Sequence, residues 1–416
     1  MSNPGHHAEP SHSRPAPLRA SSLWLPAEHS WRRFPVLGLG LAFMGLGASL
    51  ALGLPGGEEN HRQLWHSWLV GSLFVLSIAL GALFFVLVHH ATQAGWSVTV
   101  RRIAEDIMAT LPFLALLFIP LLLARHDLFH WTHAEAVQKD PLLQHKAPYL
   151  NDTFFLIRTV AYFVIWFGLA LWFGRLSRLQ DETGDRELTR RMRRASPPGL
   201  LLFGLSITFF AFDWLMSLDP HWYSTIFGLY FFAGSVMAFF AVLALVSIAG
   251  RRSGLLGAVV SEEHQHDIGK LLFGFVIFWA YMAFSQYMLI WYANLPEETG
   301  FFAQRLTGSW RTASIVLAMG HFVVPFFFLL PRAIKRSTGA LAAVSAWLLV
   351  MHLLDLYWLV MPSLYPNGMA PSLLDATALI GCCGVFLAAF GGALRRQALI
   401  PLRDPRLPES LTFENV

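Results

Sequence analysis

Ionisable side chains are rare in the long apolar stretches of this chain, and the few that occur there are the first candidates for chemistry. Those that lie away from the ends of a stretch are Arg158, Asp213, His321, His352 and Asp355. Charged groups inside a bilayer are costly, and those that persist face the interior of a helix bundle or a water-filled cavity. Carboxyl and imidazole groups at such depth can take up and release protons. The pattern therefore favours proton transfer, and it predicts no catalytic residue and no metal site.

Arg158 and Asp213 lie at similar depth in consecutive apolar stretches. One reading is a buried ion pair that only joins two helices. The other is a pair whose rearrangement loads or releases a proton, because the arginine stabilises the charged carboxylate while burial opposes it. The sequence leaves both readings open.

Two histidines have a similar ambiguity. His321 is near the middle of its stretch, where a histidine is either a hydrogen-bonded core residue or a proton bridge between two half-channels. His352 and Asp355 are three residues apart and so share one helix face. This spacing suits a proton relay and a static hydrogen bond equally.

Polar residues at the ends of the stretches complete a candidate route. The residues near the basic loops are either a solvated surface or a proton-collecting mouth. The predicted path comprises His89, Glu105, Asp267 and Lys270 on the inner side, His321 at mid-depth, and Gln286, Arg158, Asp213, His352 and Asp355 on the outer side.

The elements that must position these residues are membrane-spanning helices. Of the 416 residues, 55% are hydrophobic and only 13% are charged, which is more apolar than a soluble core requires. About 20 apolar residues cross a bilayer as a helix. The predicted spans are 34–54, 64–90, 107–124, 152–176, 199–218, 225–249, 269–292, 310–331, 339–360 and 372–394.

The basic residues between these ten stretches fall almost entirely on alternate sides, in clusters such as Arg101-Arg102 and Arg251-Arg252. Lys and Arg are retained on the cytoplasmic side of a membrane, so both termini are expected in the cytoplasm. The predicted organisation is a disordered tail at 1–33, a ten-helix transmembrane domain at 34–394 and a cytoplasmic tail at 395–416. The same topology explains the basic pI, so lipid and not nucleic acid is the expected charged partner.

Cysteine and histidine usage argues against a redox centre in this chain. The two cysteines, Cys382 and Cys383, are adjacent, and no Cys-x-x-Cys-His motif occurs. No two histidines have the matched depth that a membrane haem needs. We expect no cofactor bound by the chain itself.

Several sequence runs are similar to a known family. They are residues 66–81, 94–102, 146–151, 222–228 and 266–270, and the two most specific runs, FDWLMSLDP at 212–220 and FSQYMLIWYANLPEE at 284–298. Together they resemble the membrane subunits of bacterial alternative complex III, a quinol:cytochrome c oxidoreductase. More narrowly, the chain resembles the F subunit (ActF), a relative of the NrfD-like anchors of polysulfide reductase.

The resemblance implies two four-helix bundles plus two flanking helices in the bacterial cytoplasmic (inner) membrane. It implies a complex with a homologous NrfD-like C subunit, multihaem cytochrome c subunits, an iron–sulfur protein and other small membrane subunits. Quinol (menaquinol in many members), haem c and iron–sulfur clusters belong to that complex. The F subunit is expected to conduct or translocate protons coupled to quinol oxidation, without a redox cofactor of its own.

Three alternatives remain at this point. The chain could itself bind quinol, near His66, Asp213 and Tyr287. It could be a purely structural membrane anchor for periplasmic cytochrome and iron–sulfur subunits. It could also be a secondary transporter, although no inverted repeat is visible.

Overall fold

The computed structural model describes residues 23–414, and every regular element in this range is a helix. Within the same range, nine continuous helical stretches are long and apolar enough to cross a membrane. The first, Ser30–Ala91, contains two α-helices that are separated by a 3-10 turn at Leu54–Gly56. The prediction of an all-α membrane protein is therefore confirmed.

Each predicted apolar stretch coincides with one helix. The helices are α1 (Phe34–Gly53), α2 (Gly57–Ala91), α3 (Val98–Leu123), α4 (Asp152–Thr183), α5 (Arg186–Trp214), α6 (Phe227–Arg252), α7 (Glu262–Ala293), α8 (Gly308–Leu329), α9 (Thr338–Val360) and α10 (Leu373–Leu394).

The chain reverses direction between α1 and α2. Ser49, late in α1, donates a hydrogen bond of 2.9 Å to Thr377, early in α10, so these two helices are antiparallel. Ser67, early in α2, donates a hydrogen bond of 2.6 Å to Asp375, also early in α10, so α2 and α10 are parallel. The turn uses Gly57 with φ +79°, a conformation that glycine adopts without the steric cost of a Cβ.

Helix α2 lies at the centre of the molecule and contacts α3, α5, α6, α9 and α10. Nearly all of its side chains beyond Leu64 are buried. By contrast, α4, α7 and α8 expose large apolar side chains such as Val164, Phe284 and Phe327. An apolar exterior around a buried central helix is the arrangement that a bilayer solvent allows.

Small residues allow α1 and α10 to pack backbone to backbone. A Cβ added at Gly38 would overlap the backbone of Ala388, and one added at Gly45 would overlap that of Gly381. Between membrane helices the hydrophobic effect gives little attraction, so close contact at small residues supplies it instead.

Helix α3 is interrupted, as its prolines predict. It consists of the segments Val98–Met108, Leu111–Ala115 and Phe118–Leu123, with Pro112 and Pro120 in the latter two. Proline removes a backbone donor and leaves a carbonyl without its helical partner. One carbonyl near the second break, that of Leu117, accepts a hydrogen bond of 3.0 Å from the indole of Trp68.

The basic segment 177–198 is formed by the end of α4 and the start of α5. A tight turn joins them, with Gly184 at φ +70° and the Asp185 side chain capping α5 through the amide of Glu187 at 2.8 Å. We call the end of the molecule that carries this turn, Arg101 and Arg102 the basic end, and the other end the opposite end.

The described parts of both predicted tails pack against the basic end. Leu23 and Leu25 are buried, and the amide of Leu399 donates a hydrogen bond of 2.8 Å to the carbonyl of Leu23. Residues 23–33 thus differ from the predicted disordered tail, because these leucines pack against apolar side chains at the basic end. Residues 1–22 of that tail lie outside the described range.

The C-terminal segment 395–414 packs against α2 and α3 at the basic end. Ser410 donates a hydrogen bond of 2.6 Å to the carbonyl of Trp96, and the Phe413 ring lies 6.3 Å from the Trp96 ring. The predicted cytoplasmic tail is therefore a packed segment as far as residue 414.

The α1–α10 contact gives a stability prediction. Replacing Gly38 by Ala should destabilise the protein by about 1–3 kcal/mol, because the new methyl group meets backbone atoms that cannot move away freely. Gly40 on the same helix has no atom within 4 Å of an added Cβ. Gly40→Ala should be neutral or stabilising by up to about 1 kcal/mol through helix propensity. Thermal unfolding in detergent measures both, and equal effects would contradict backbone-to-backbone packing.

Candidate functional site

The central polar cluster is built around Asp355 of α9, which is 2% exposed. The phenol of Tyr230 on α6 donates a hydrogen bond to one carboxyl oxygen. The indole of Trp279 on α7 donates a hydrogen bond of 3.1 Å to the other. Neither donor carries a charge, and no ion pair to Asp355 occurs among the described residues. A change in the protonation state of Asp355 therefore breaks no ion pair.

His321 joins this cluster from α8. Its ring meets the Trp279 ring edge to face with centroids 3.8 Å apart, and neither ring nitrogen has a hydrogen-bond partner within residues 23–414. The residue belongs to a π-helical turn, Ala318–Val323, where one extra residue widens the helix. Such turns are frequently found at functional sites.

His352 lies one helical turn before Asp355. Its Nε2 is 2.9 Å from the hydroxyl of Ser77 on α2, while its Nδ1 has no partner in the described part of the chain. Gly234 of α6 makes room for the ring, because a Cβ there would lie 3.1 Å from the His352 Cε1 and 3.6 Å from the Trp279 Cδ1. The i, i+3 spacing thus places His352 and Asp355 on one face, with different partners and no hydrogen bond to each other.

A second polar cluster surrounds Asp213 of α5. Arg158 of α4 holds both carboxyl oxygens through two hydrogen bonds of 2.8 Å, so the predicted contact between the two residues is present. Tyr162 adds a hydrogen bond of 2.7 Å to the same carboxylate. The guanidinium also donates to the carbonyl of Tyr149 at 2.9 Å and stacks 3.8 Å from its ring. This carboxylate is fully satisfied by a cation and a phenol.

The inner residues of the predicted path lie in separate groups at the basic end. Glu105 accepts hydrogen bonds from Ser177 at 2.8 and 2.9 Å and contacts Arg101 at 3.2 Å and Arg102 at 3.3 Å. Asp267 forms an ion pair with Lys270, one helical turn further along α7.

His89 has a local partner. Its Nδ1 lies 2.8 Å from the carbonyl of Phe85, one turn earlier in α2. Within residues 23–414, no hydrogen bond links His89, Glu105 or Asp267 to the Asp355 cluster.

The C-terminal segment completes the ion network at this end. Arg101 donates a hydrogen bond of 2.5 Å to Asp404, and Arg102 donates one of 2.9 Å to Gln397. Burial alone would raise the pKa of Asp404, but the adjacent Arg101 guanidinium outweighs it, and the pKa lies below its ordinary value. The carboxylate is therefore charged at neutral pH and neutralises Arg101.

Gln286 and Tyr287 line an apolar cavity of about 530 Å³ between α6, α7, α8 and α9. Gln286 is 5% exposed, and its side-chain oxygen has no hydrogen-bond partner in the described range. Neither His66 nor Asp213 lines this cavity. His66 instead contacts the carbonyl of Arg62 at 2.7 Å, so the predicted trio of His66, Asp213 and Tyr287 does not form one pocket.

Four residues of the two clusters were missed in the sequence, namely Ser77, Tyr162, Tyr230 and Trp279. Aromatic residues are so common in membrane helices, and serines so easily satisfied by their own backbone, that neither type draws attention there. The available signal was position: Tyr162 and Trp279 lie well inside their apolar runs and not at the ends, where an aromatic belt would place them. Tyr230, in the first turn of α6, gave no such signal.

Comparison with known proteins adds no assignment. Neither a scan against family models nor a search of curated proteins found a match for this chain.

The Asp213 cluster gives a second stability prediction. Arg158→Met should destabilise the protein by about 3–5 kcal/mol, because it leaves a buried carboxylate without its cation. The double variant Arg158→Met/Asp213→Leu should recover much of that loss, since removing both charges removes the desolvation penalty. Chemical or thermal unfolding in detergent measures both.

The matched control is the Arg125–Asp152 pair, whose side chains are 31% and 43% exposed. Arg125→Met should cost less than about 1 kcal/mol, because water screens an exposed pair. If Arg158→Met were equally mild, the Asp213 carboxylate would not depend on its guanidinium partner.

Proposed function

We propose that this chain is a proton-conducting membrane subunit of a quinol:electron-acceptor oxidoreductase of the alternative complex III type. In this proposal the chain crosses the bacterial cytoplasmic membrane ten times, as two four-helix bundles with two flanking helices. Both termini and the basic end face the cytoplasm, in keeping with the placement of Lys and Arg. The resemblance of the sequence runs at 212–220 and 284–298 supplies the type of complex.

The observation that carries the conducting role is the Asp355 cluster. A carboxyl, two imidazoles, a phenol and a hydroxyl come together from four helices within the bundle, at Asp355, His321, His352, Tyr230 and Ser77. Ionisable groups enclosed inside a membrane bundle commonly mark proton relays in pumps and transporters. Ring nitrogens on both histidines have no partner in the described part of the chain, and they can accept or donate a proton without breaking a hydrogen bond seen there.

The proposed mechanism couples quinol oxidation on the opposite side to proton movement through this chain. Protons enter from the basic end, pass His321 and His352, and leave through Asp355. Electron transfer and quinol chemistry belong to the partner subunits, which carry haem c and iron–sulfur clusters. Moving one charge against 100 mV costs about 2.3 kcal/mol, which the redox step must exceed.

In this proposal Asp213 does not carry protons, although the sequence analysis placed it on the proton path. Two hydrogen bonds from Arg158 and one from Tyr162 hold its carboxylate. Protonating it would remove the counter-charge of a buried guanidinium, which is expensive. Asp213 is therefore better suited to joining α4 and α5, and Asp355 is the residue on which we base the functional test.

A second candidate function is quinol binding by this chain. The apolar cavity lined by Gln286 and Tyr287 favours it, because a quinone head group needs a few polar partners beside an apolar slot. In this reading the unpaired Gln286 oxygen would accept a hydrogen bond from a quinol hydroxyl. His66 and Asp213, which the sequence placed in such a site, would take no part.

The functional test uses the whole complex in liposomes, supplied with quinol and an electron acceptor. Asp355→Asn keeps the size of the side chain but cannot carry a proton, so the number of protons moved per electron should fall severalfold while quinol oxidation continues. Proton uptake measured with an entrapped pH dye, alongside acceptor reduction, gives this ratio.

Asp375→Asn is the matched control, because Asp375 is also a helix aspartate that accepts hydrogen bonds from Ser67 and Gln63 but lies outside the cluster. It should leave the ratio unchanged. An unchanged ratio in Asp355→Asn would reject conduction through Asp355 and favour a structural anchor. A severalfold slower quinol oxidation in Gln286→Leu, with an unchanged number of protons per electron, would favour the quinol-binding role.

A further inference from the structure

A cavity of about 250 Å³ opens at the basic end, between the end of α2, the start of α5 and the C-terminal segment. Five arginines and a single carboxylate line it, and the carboxylate, Asp404, is already paired with Arg101. The remaining lining arginines are Arg186, Arg190, Arg193 and Arg406. The lining of the cavity therefore carries more positive charge than its single carboxylate neutralises.

Three of these arginines share one face of α5. Arg186, Arg190 and Arg193 are spaced i, i+4 and i+7, which places them in a row along a helix. Arg190 contacts Glu187 at 3.1 Å, but within residues 23–414 neither Arg186 nor Arg193 has a hydrogen bond or an ion pair. Thr189, which lies between Arg186 and Arg190, also lines the cavity. Its hydroxyl accepts a hydrogen bond of 2.6 Å from Gln180 and keeps its own proton to donate.

An independent observation comes from α2. His90 lines the same cavity and is 5% exposed, and its Nε2 has no hydrogen-bond partner in the described part of the chain. A buried ring nitrogen without a partner costs free energy unless a ligand or water satisfies it. His90 thus places an imidazole ring at the buried side of the cavity, where it adds a side chain that can hydrogen-bond beside the arginine row.

We propose that this cavity binds a phosphate group, held by Arg186, Arg193 and Arg190 with His90 at its base. Guanidinium groups match the oxygens of phosphate with paired hydrogen bonds. Several guanidiniums exceed what one carboxylate can neutralise, whereas a phosphate offers more oxygens to share among them. The proposal is independent of proton conduction, because none of these four residues belongs to the Asp355 cluster.

Two sources share this chemistry, the headgroup of an anionic phospholipid and free inorganic phosphate. The first is available because basic pockets between membrane helices on the cytoplasmic side bind acidic headgroups. Inorganic phosphate can reach the cavity from water, because the cavity lies at the end of the helix bundle. The experiment has one arm for each source.

The full chain, in its membrane complex, is placed in nanodiscs of phosphatidylcholine. In one arm phosphatidylglycerol is added and its retention is counted by native mass spectrometry. In the other arm radioactive inorganic phosphate is titrated without anionic lipid. Saturable binding in the first arm identifies a headgroup site, and saturable binding in the second identifies a site for soluble phosphate. Absence of binding in both arms overturns the proposal.

Specificity for the cavity is tested by two double variants of α5 with equal loss of charge. Arg186→Gln/Arg193→Gln should weaken binding by about tenfold for each charge-assisted hydrogen-bonding side chain removed. Arg191→Gln/Arg194→Gln, on the same helix but outside the cavity, should change binding less than about twofold. Equal loss in both would show general attraction to a basic surface and would reject the site.

A measurement on the unaltered chain covers the case in which a variant fails to fold. A ligand that binds only the folded protein raises its unfolding temperature. Phosphate or phosphatidylglycerol should raise it in a saturable way, while chloride at equal ionic strength should not. Equal shifts with chloride would reject a phosphate site. His90→Gln provides a further check, because a smaller loss of affinity is expected from removing one neutral donor.

Discussion

The carboxyl groups of Asp213 and Asp355 must find all their hydrogen bonds inside the protein, and this requirement governs the arrangement of the bundle. An unsatisfied polar group in a membrane interior costs several kcal/mol. Asp213 meets the requirement with a guanidinium, and Asp355 meets it with a phenol and an indole. The choice of donors separates the two sites, because a charged partner fixes the carboxylate form whereas neutral donors leave the charge free to change.

These hydrogen bonds depend on helices that approach closely. Gly234 lets the rings of His352 and Trp279 lie against the backbone of α6. At the edge of the molecule, glycines in α1 and α10 bring two backbones into contact. Little hydrophobic driving force acts between helices in lipid, so shape and small residues must hold them together. A larger residue at Gly234 would move the very side chains that surround Asp355.

The sequence predicted the features that repeat along the chain. Apolar stretches of sufficient length predicted the helices to within a few residues at most ends, and matched depth on neighbouring helices predicted the Arg158–Asp213 contact. Contacts that depend on rotation about a helix axis were not predictable. His321 reaches Trp279 because a π-helical turn shifts its register, and nothing in the composition of 318–323 signals that turn.

The long-range contacts of the terminal segments could not be predicted from the sequence either. Residues 395–414 read as a polar tail, yet Asp404, Ser410 and Gln397 each find a specific partner beneath α3. Polar residues that follow the last helix predict solvent exposure on average, and only the positions of Arg101 and Arg102 in space make burial favourable. The trio of His66, Asp213 and Tyr287 failed for the same reason, since similar depth does not place residues on facing sides.

The two clusters differ in how they could connect to a route across the membrane. A proton moves along groups that can exchange hydrogen bonds, and a group whose lone pairs and protons are all engaged must first break one. Asp213 has no such freedom, and Glu105 is likewise held by Ser177, Arg101 and Arg102. Within residues 23–414, His321 has two ring nitrogens without partners and His352 has one. A water molecule that enters beside Trp279 would find the ring nitrogens of His321, and the same Trp279 side chain donates a hydrogen bond to the carboxyl of Asp355.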